Sequence, residues 1–378
     1  MPSGTSPAAR RVLPVVPPSD AEAVPAAARR EALDALAALS TAAARLADPD
    51  LFHRPRVRTK LHRRYVGATD PAELAEQLSA PAENRATAGL LAVHSVREEL
   101  REQPGRRPCF APDSLAELHR LLIAADPNIP ARGGFHRSRA LVTWPDGRAF
   151  AIDVAAGEPL RAHVERWHRW GAGTTSPPLD AAALAALGLL TIHPFPDANG
   201  RMVRLLSQCD LVAAGLMPGL LLDLDGWVHG HRREHDEALV AGADGDWARW
   251  GEVFARAVTE TARHRTATVT AYCGLLDTAL ERVAADPATA AVLEQLRGTP
   301  AVSAPWLRER IPYAPQPALD RLRSAGVLAP HPRLPGALVH PELLALLDAP
   351  LDAAPPHDAP VGDVPGGAVP LDEGPVTP

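Results

Sequence analysis

The chain has 378 residues, 46% of them hydrophobic, and a net charge of -6 at pH 7. This composition predicts a globular protein with a large core, and it gives no global reason to expect nucleic acid or an anionic membrane as a partner. The three cysteines are far apart and fit neither a disulfide framework nor a zinc site, so we expect a cytoplasmic protein. The N-terminal residues lack the apolar stretch of a secretory signal, and no apolar run is long enough to span a membrane, so we expect neither feature.

Both ends of the chain are predicted to be disordered. Residues 1–27 are rich in Pro, Ala and Ser, and residues 349–378 form an acidic segment rich in Pro and Gly. Such segments contain too few apolar side chains to offset the conformational entropy that folding removes.

The part of the chain between these ends is predicted to be mostly helical. Apolar residues recur at spacings of three and four in eight alanine- and leucine-rich stretches, which is the helical pattern. These stretches are Ala27–Leu46, Pro71–Leu78, Thr87–Glu102, Ser114–Ala125, Leu179–Leu190, Met202–Leu211, Asp246–Arg263 and Ala267–Val283. The first of them belong to an N-terminal helical region over residues 28–78.

One segment departs from the helical pattern. In "RALVTWPDGRAFAID", residues 139–153, two short apolar runs flank Pro145-Asp146-Gly147. Asp-Gly between two strand-like runs is typical of a β-hairpin. The fold class is therefore mainly α with a single β-hairpin.

The sequence "TIHPFPDANGRMVRLL", residues 191–206, groups a histidine, an acid, a small-residue turn and two arginines. Pro194 and Pro196 cannot continue the preceding helix, which should end near His193. The next helix should begin around Asn199 or Gly200. Its N-terminus would offer unpaired backbone N–H groups to an anion, and Gly200 would let a phosphate approach closely.

The other side chains of this segment complete a site for nucleotidyl or phosphoryl transfer. Arg201 and Arg204 are neighbours on the first turn of the helix and can clamp phosphate oxygens. Asp197 can hold a Mg²⁺ ion that bridges the same phosphates, and His193 can take a proton from an attacking hydroxyl. An ordinary turn between two helices, with arginines on a solvent-exposed face, is the alternative interpretation.

The segment "HPFPDANGRMVR" resembles the signature of the Fic family, H-P-F-x-[D/E]-G-N-G-R-x-x-R, with Ala198 in place of the first glycine. Further similarities are "GGFHRSRALV" before the hairpin and "DWARWGEVFARAVTETA" after the motif. The resemblance implies a Fic-type helical core over residues 79–284, with the hairpin as a flap.

What the resemblance implies is transfer of AMP from ATP to a hydroxyl of a target protein. His193 would be the catalytic base, and Asp197 would bind Mg²⁺. The backbone of Asn199, Gly200 and Arg201 would form the anion hole, and Arg204 would hold the γ-phosphate. The flap, Leu141 to Ile152 and in particular Leu141, Val142 and Thr143, would dock the target by β-strand addition. A methyl group at position 198 disfavours the positive φ that glycine permits.

Many members of the family resemble one another in an inhibitory helix with the pattern [S/T]-x-x-x-E-[G/N]. "SAPAEN" places Ser79 and Glu83 in that pattern, which implies autoinhibition through an ion pair between Glu83 and Arg204. "SVREEL", with Ser95 and Glu99, is a second candidate that lacks the final Gly or Asn. A glutamate that is favoured at the start of a helix by the helix dipole is the alternative for Glu83.

A smaller unit follows the core, and residues 285–348 resemble a winged helix-turn-helix. Its last helix should be followed by Gly326, a strand at Val327-Leu328 and a wing over Arg333 to Val339. Arg321 and Arg323 form a sparse basic set, so DNA binding through residues 285–340 is less favoured than protein docking or dimerisation. The basic run His53 to Arg64 is interpreted as a solvated face.

Two functions of different classes remain open. The first is a protein adenylyltransferase that uses ATP and Mg²⁺, acts on a Ser, Thr or Tyr hydroxyl of a target protein, and can modify itself or form a homodimer. The second is a catalytically degenerate regulator that binds DNA or a partner protein through its winged helix. A zinc site at His229, His231 and His235 fits no standard ligand spacing.

Overall fold

A computed structural model describes residues 10–49, 110–123, 134–138, 140–143, 150–283, 286–330 and 336–348. Its helices are α1 (Ala26–Ala43), α2 (Pro112–Leu122), α3 (Gly157–Gly173), α4 (Pro178–Ile192), α5 (Asn199–Ala213), α6 (Leu224–Gly230), α7 (Arg232–Ala243), α8 (Trp247–Arg282), α9 (Pro287–Gln295), α10 (Ala304–Arg308), α11 (Pro315–Ser324) and α12 (Pro341–Asp348). Its strands are β1 (Arg10–Val12), β2 (Ala140–Thr143), β3 (Phe150–Val154), β4 (Ala301–Ser303), β5 (Ala329–Pro330) and β6 (Ala337–Val339).

Helix α4 lies at the centre of the fold. Every residue from Ala182 to Ile192 is buried, and α3, α5, α7 and α8 pack against this helix. The sequence explains the position, because the helix carries apolar residues all round and such a helix must be surrounded by other elements. The C-terminal end of α4 is consequently held rigidly, and His193 follows it directly.

The predicted helices in the described parts are confirmed, with one difference in length. The sequence predicts two helices, Asp246–Arg263 and Ala267–Val283, whereas α8 runs without interruption from Trp247 to Arg282 over 36 residues. No Gly or Pro separates the two stretches, so nothing in the backbone stops the helix between them. Helix α1 packs along α8.

The prediction of disorder over residues 1–27 is wrong for residues 10–27. Ala23 N and Val24 N donate to Asp180 Oδ1 at 2.8 and 2.7 Å, and Val15 N donates to Thr191 Oγ1 at 3.1 Å. Asp180 is fully buried, and these backbone donors compensate for the loss of its hydration. The segment is ordered by buried polar contacts, which its Pro- and Ala-rich composition does not show.

The N-terminal segment also adds a strand to the predicted hairpin. Strands β2 and β3 are antiparallel, with Val142 opposite Ile152, while β1 pairs with the other edge of β3 in parallel. The sheet order is β1-β3-β2. The turn that was predicted between β2 and β3 lies outside the described residues, and β1 was not predicted.

The C-terminal unit contains the second sheet, in which β6 lies between β4 and β5. The strand predicted at Val327-Leu328 is displaced to Ala329–Pro330, and Gly326 has a φ of 72°, which ends α11. Residues 331–335, which include the first three residues of the predicted wing, lie outside the described part of the chain. Tyr272 of α8 donates to the Leu296 carbonyl at 2.6 Å and so connects this unit to the long helix.

Within the described ranges, none of the helices combines the length and apolar character that crossing a bilayer requires. Predicted features at residues 51–109 and 349–378 lie outside the described residues. They include the helices Pro71–Leu78 and Thr87–Glu102 and the C-terminal disorder.

Candidate active site

The turn between α4 and α5, residues 193–198, is bounded by two residues in the left-handed backbone conformation. His193 has a φ of 50° and Ala198 has a φ of 66°, and they are the only non-glycine residues with positive φ in the described part of the chain. Left-handed backbone is costly for residues with a Cβ and is concentrated at functional sites. Ala198 thus adopts the conformation for which the family signature has glycine.

The side chain of Asn199 holds the turn together from inside. Its Oδ1 accepts a hydrogen bond from Phe195 N at 3.0 Å, and its Nδ2 donates to Phe195 O at 2.6 Å. Asn199 is buried, so its amide belongs to the turn and only its backbone N–H remains for a ligand. The side-chain role was not predicted.

His119 of α2 supports the same turn from another side. Its Nε2 lies 3.0 Å from Asp197 O, and its ring stacks on Phe195 with centroids 3.8 Å apart and planes 1° apart. Burial lowers the pKa of His119 to about 4, so the ring is neutral at pH 7 and Nε2 can donate to the carbonyl. Sequence reasoning missed His119 because no local motif marks it.

His193 begins the turn, directly after the last residue of α4. Its Nδ1 is buried. Burial lowers the pKa of His193 to about 4, and the charge of the nearby His136 acts in the same direction. The imidazole is therefore neutral at pH 7, with a lone pair available.

His136 lies beside the catalytic candidate. Its backbone N–H donates to Pro194 O at 3.0 Å, and the preceding Phe135 packs on Phe195 with ring centroids 5.2 Å apart. These contacts fasten the segment before β2 to the connecting turn. The sequence indicates "GGFHRSRALV" as a segment similar to the family, but it does not indicate that His136 is a neighbour of His193.

Asp197 and Arg201 face each other at the start of α5. Arg201 Nη2 lies 3.6 Å from Asp197 Oδ1, and the Asp197 side chain is 41% exposed. The same Oδ1 accepts from Ala198 N at 2.5 Å, which orients the carboxylate. A single exposed carboxylate of this kind could hold Mg²⁺, which takes one or two protein carboxylates and completes its shell with other oxygen ligands such as water.

Arg204 lies next to Gly200 on the helix surface. A Cβ on Gly200 would lie only 2.8 Å from Arg204 Nη1, so the guanidinium packs against the bare backbone of the first turn of α5. Arg204 Nε donates to Asp225 Oδ1 at 2.5 Å. The acid that contacts Arg204 in the described part of the chain is therefore Asp225 of α6, which the sequence did not indicate.

The predicted site residues that the structure brings together are His193, Asp197, Asn199, Gly200, Arg201 and Arg204. Ser79 and Glu83 lie outside the described residues, and Glu99 does as well. Leu141, Val142 and Thr143 form most of β2. Their predicted role in docking remains a prediction.

Two histidines of the segment after α5 contact neighbouring side chains. His231 stacks on Trp227 with centroids 4.3 Å apart, and His235 Nδ1 lies 2.9 Å from Asp236 Oδ1. Across the described ranges, no group of three or more His, Cys, Asp or Glu side chains is arranged to hold a metal ion.

Comparison with known proteins matches the region that contains this turn to one family. Residues 109–209 match the model of the Fic/DOC family. The matched region begins just before α2, which carries His119, and ends within α5. It includes the whole candidate site apart from Asp225.

Curated relatives match the same part of the chain. The protein adenylyltransferase Fic of Drosophila melanogaster is 36% identical over 110 residues, which are 28% of this chain and 21% of the relative. The protein of the same name from Nematostella vectensis is 28% identical over 165 residues, or 42% of this chain and 35% of the relative. The chain thus spans about a fifth to a third of these relatives' length.

A solved structure of a Fic family protein from Desulfovibrio desulfuricans aligns with 86% of this chain and 96% of its own, at 15% identity and a TM-score of 0.45.

Proposed function

We propose that this chain is a Fic-type protein adenylyltransferase, which transfers AMP from ATP to a hydroxyl of a protein side chain. The observation that carries the proposal is the geometry of the connecting turn. One short, rigid turn presents a neutral imidazole at its start and the N-terminus of α5 with two arginines at its end. A base and an anion site on the same turn suit attack on a phosphate.

In the proposed reaction, the target hydroxyl oxygen bonds to the α-phosphorus while the bond to the bridging oxygen of the β-phosphate breaks. The hydroxyl proton passes to Nε2 of His193, and pyrophosphate leaves. The pKa of about 4 would make His193 a weak base on its own. A bound triphosphate favours the imidazolium by its negative charge and so raises that pKa toward the working range.

The remaining groups bind and orient the nucleotide. The first backbone N–H groups of α5 have no partner within the helix and carry the positive end of its dipole, so they suit the α- and β-phosphates. Arg204 would hold the γ-phosphate. Asp197 would hold Mg²⁺ with the phosphates, where the ion neutralises their charge.

Target docking and inhibition extend the proposal to residues beyond the turn. A target segment would add as a strand to β2, because β1 already pairs with the other edge of β3. The inhibitory glutamate would be Glu83, preceded by Ser79, and it would compete with the γ-phosphate for Arg204. These assignments rest on the resemblance of "SAPAEN" to the family pattern.

The second candidate, a regulator that binds DNA through a winged helix, has little support in the contacts of α11. Arg321 Nη1 donates to Thr289 Oγ1 at 3.1 Å and forms an ion pair with Asp286, at the N-terminus of α9. Arg323 lies 3.4 Å from Asp320 of its own helix. Both arginines thus have acidic partners that DNA phosphates would have to displace.

The experiment that tests the proposal compares ATP labelled at the α-phosphate with ATP labelled at the γ-phosphate, each with Mg²⁺, using the full chain and host proteins as acceptors. AMP transfer puts only the α-label on protein and releases pyrophosphate. His193→Ala should reduce the labelling about 100-fold or more, whereas His229→Ala, outside the turn, should not. Labelling from the γ-phosphate would mean phosphoryl transfer. No labelling with either nucleotide, by the wild type or by the variants Glu83→Gly and Glu99→Gly that remove a candidate inhibitory glutamate, would contradict a transferase.

A further inference from the structure

Asp225 is held in place independently of the arginine that it contacts. It lies in the first turn of α6, whose start is capped by Asp223, with Asp223 Oδ1 accepting from Gly226 N at 3.0 Å. The neighbouring Leu224 is buried in the core. The backbone that carries the Asp225 carboxylate is therefore fixed independently of Arg204.

The contact orients the guanidinium in one particular way. Nε of Arg204 donates to Asp225 Oδ1, while Nη1 lies over Gly200 in the first turn of α5. The two side chains are 21% and 29% exposed, so the pair is screened less than a surface ion pair. The terminal end of Arg204 is directed toward the N-terminus of α5, where the phosphates would lie.

We propose that Asp225 is a positioning residue that makes the site selective for a nucleoside triphosphate over a diphosphate. By holding Nε, it keeps the terminal nitrogens of Arg204 ready for the γ-phosphate, which ADP lacks. This inference rests on the proposed function. Without Asp225, binding would have to order a long, rotamer-rich side chain, which costs about three- to tenfold in affinity.

A carboxylate that competes with the γ-phosphate for Arg204 would weaken ATP binding, whereas a positioning carboxylate strengthens it. If Asp225 were such a competitor, its removal would leave Arg204 free and tighten ATP binding. The geometry favours positioning, because the contact is made through Nε rather than through the terminal nitrogens that present a fork to phosphate.

The test is calorimetric titration of the full chain with ATP and with ADP, each with Mg²⁺, in a His193→Ala background that prevents turnover. Asp225→Ala should weaken ATP binding about three- to tenfold and change ADP binding less than twofold. Asp225→Asn should recover most of the loss, because its amide oxygen still accepts from Nε. Glu237→Gln is the matched control, since Glu237 pairs with the exposed Arg233 of α7.

A second background separates positioning from a general loss of structure. With Arg204→Ala present, Asp225→Ala should change neither affinity, because its effect passes through Arg204. Tighter ATP binding by Asp225→Ala, an equal loss for ATP and ADP, or no rescue by asparagine would overturn the inference. If Asp225→Ala has no effect while the parent binds ATP and the wild type transfers AMP, only the inference fails. A parent that does not bind ATP contradicts the proposed function itself.

Discussion

Asn199 and Phe195 close the connecting turn with two hydrogen bonds, Phe195 N to Oδ1 at 3.0 Å and Nδ2 to Phe195 O at 2.6 Å. Because both groups are buried, replacing the amide leaves two backbone groups without partners. Asn199→Ala should therefore lower the free energy of unfolding by about 1–3 kcal/mol. It should also lower AMP transfer, because the turn that carries His193 loses its internal support. Urea unfolding and the labelling assay measure the two effects.

Ser207→Ala is the control on the same helix, since the Ser207 hydroxyl donates to the Val203 carbonyl four residues earlier at 2.9 Å. That carbonyl keeps its helical environment in the variant, and we expect a change below about 1 kcal/mol. Equal stability of Asn199→Ala and the parent would contradict the role given to the amide.

The limits of the two helices could be predicted from the sequence because prolines end the first and a turn of small residues precedes the second. Pro194 and Pro196 exclude a continued helix, and α4 ends at Ile192 while α5 starts at Asn199, within a residue of expectation. The left-handed backbone at His193 could not be predicted in this way. It depends on tertiary contacts to the turn, which periodicity does not contain.

The residues that the sequence did not reveal are distant in the chain and ordinary in their local context. His119 lies 78 positions before Asp197, and Asp225 lies 21 positions after Arg204. Each is a polar residue on an otherwise ordinary helix, and only the packing of helices brings it to the turn. The N-terminal segment was misjudged for a related reason, since the buried Asp180 that orders it lies more than 150 positions away.

His193→Ala should reduce AMP transfer by about 10²–10⁴-fold, the usual contribution of a general base. The variant should still fold, because the ring lies at a helix end and is not part of the core. His193→Asn is the better-matched variant, since asparagine tolerates the φ of 50° found here and cannot act as the base. Circular dichroism and labelling of both variants check this, and normal transfer by either folded protein would rule out the assigned base.

Ala198→Gly should leave stability unchanged or raise it by up to about 1 kcal/mol. Glycine relieves the left-handed strain of Ala198, and this gain offsets the larger entropy of the unfolded chain. The sequence alone predicts a small loss, because it does not show the positive φ. AMP transfer should persist or rise, since a methyl group leaves the phosphate turn.

Ala198→Val provides the contrast, because a β-branched residue is a poor fit to left-handed backbone. We expect the free energy of unfolding of Ala198→Val to be at least about 1 kcal/mol lower than that of the parent. Thermal unfolding of the two variants side by side gives the order Gly, Ala, Val. Any other order would mean that packing of the buried methyl group dominates over backbone strain.

The buried histidines make the fold sensitive to mild acid. Burial lowers the pKa of His119 from 6.5 to about 4, so the unfolded chain binds more protons than the folded chain between these values. The contribution of the neutral His119 ring to the free energy of unfolding is therefore complete above pH 6.5 and is lost as the pH falls toward 4. For one histidine the loss at pH 4.5 is about 2–3 kcal/mol.

His119→Phe separates this effect from the hydrogen bond. Phenylalanine can keep the stacking on Phe195 but loses the bond to Asp197 O, so at pH 7 the variant should be about 1 kcal/mol less stable. At pH 4.5 it should be the more stable protein, because it has no buried group to protonate. Urea unfolding at both pH values tests for this crossing, and parallel profiles would contradict the assigned pKa.

The last prediction concerns inhibition through Arg204. If Glu83 forms an ion pair with Arg204, the γ-phosphate must displace a carboxylate, and such charge-assisted contacts contribute on the order of 1.5–3 kcal/mol. Glu83→Gly should then raise self-modification about tenfold or more, since each ~1.4 kcal/mol is a factor of ten. Glu99→Gly is the matched variant from the second candidate segment. Arg204→Ala cannot replace this test, because it removes the side chain that would bind the γ-phosphate together with the inhibitory ion pair.

The wild type, Glu83→Gly and Glu99→Gly are assayed side by side for self-modification with labelled ATP and Mg²⁺. Activation by Glu83→Gly alone supports Glu83 as the inhibitory residue. Activation by Glu99→Gly alone would assign that role to Glu99 in "SVREEL". No activation in either variant contradicts an inhibitory glutamate in these two segments. Asp225→Ala belongs in the same assay, because Asp225 is the acid that contacts Arg204 in the described part of the chain. Asp225→Ala should lower self-modification, whereas loss of an inhibitory glutamate should raise it. The direction of the change therefore distinguishes an acid that positions Arg204 from an acid that competes with the γ-phosphate for it.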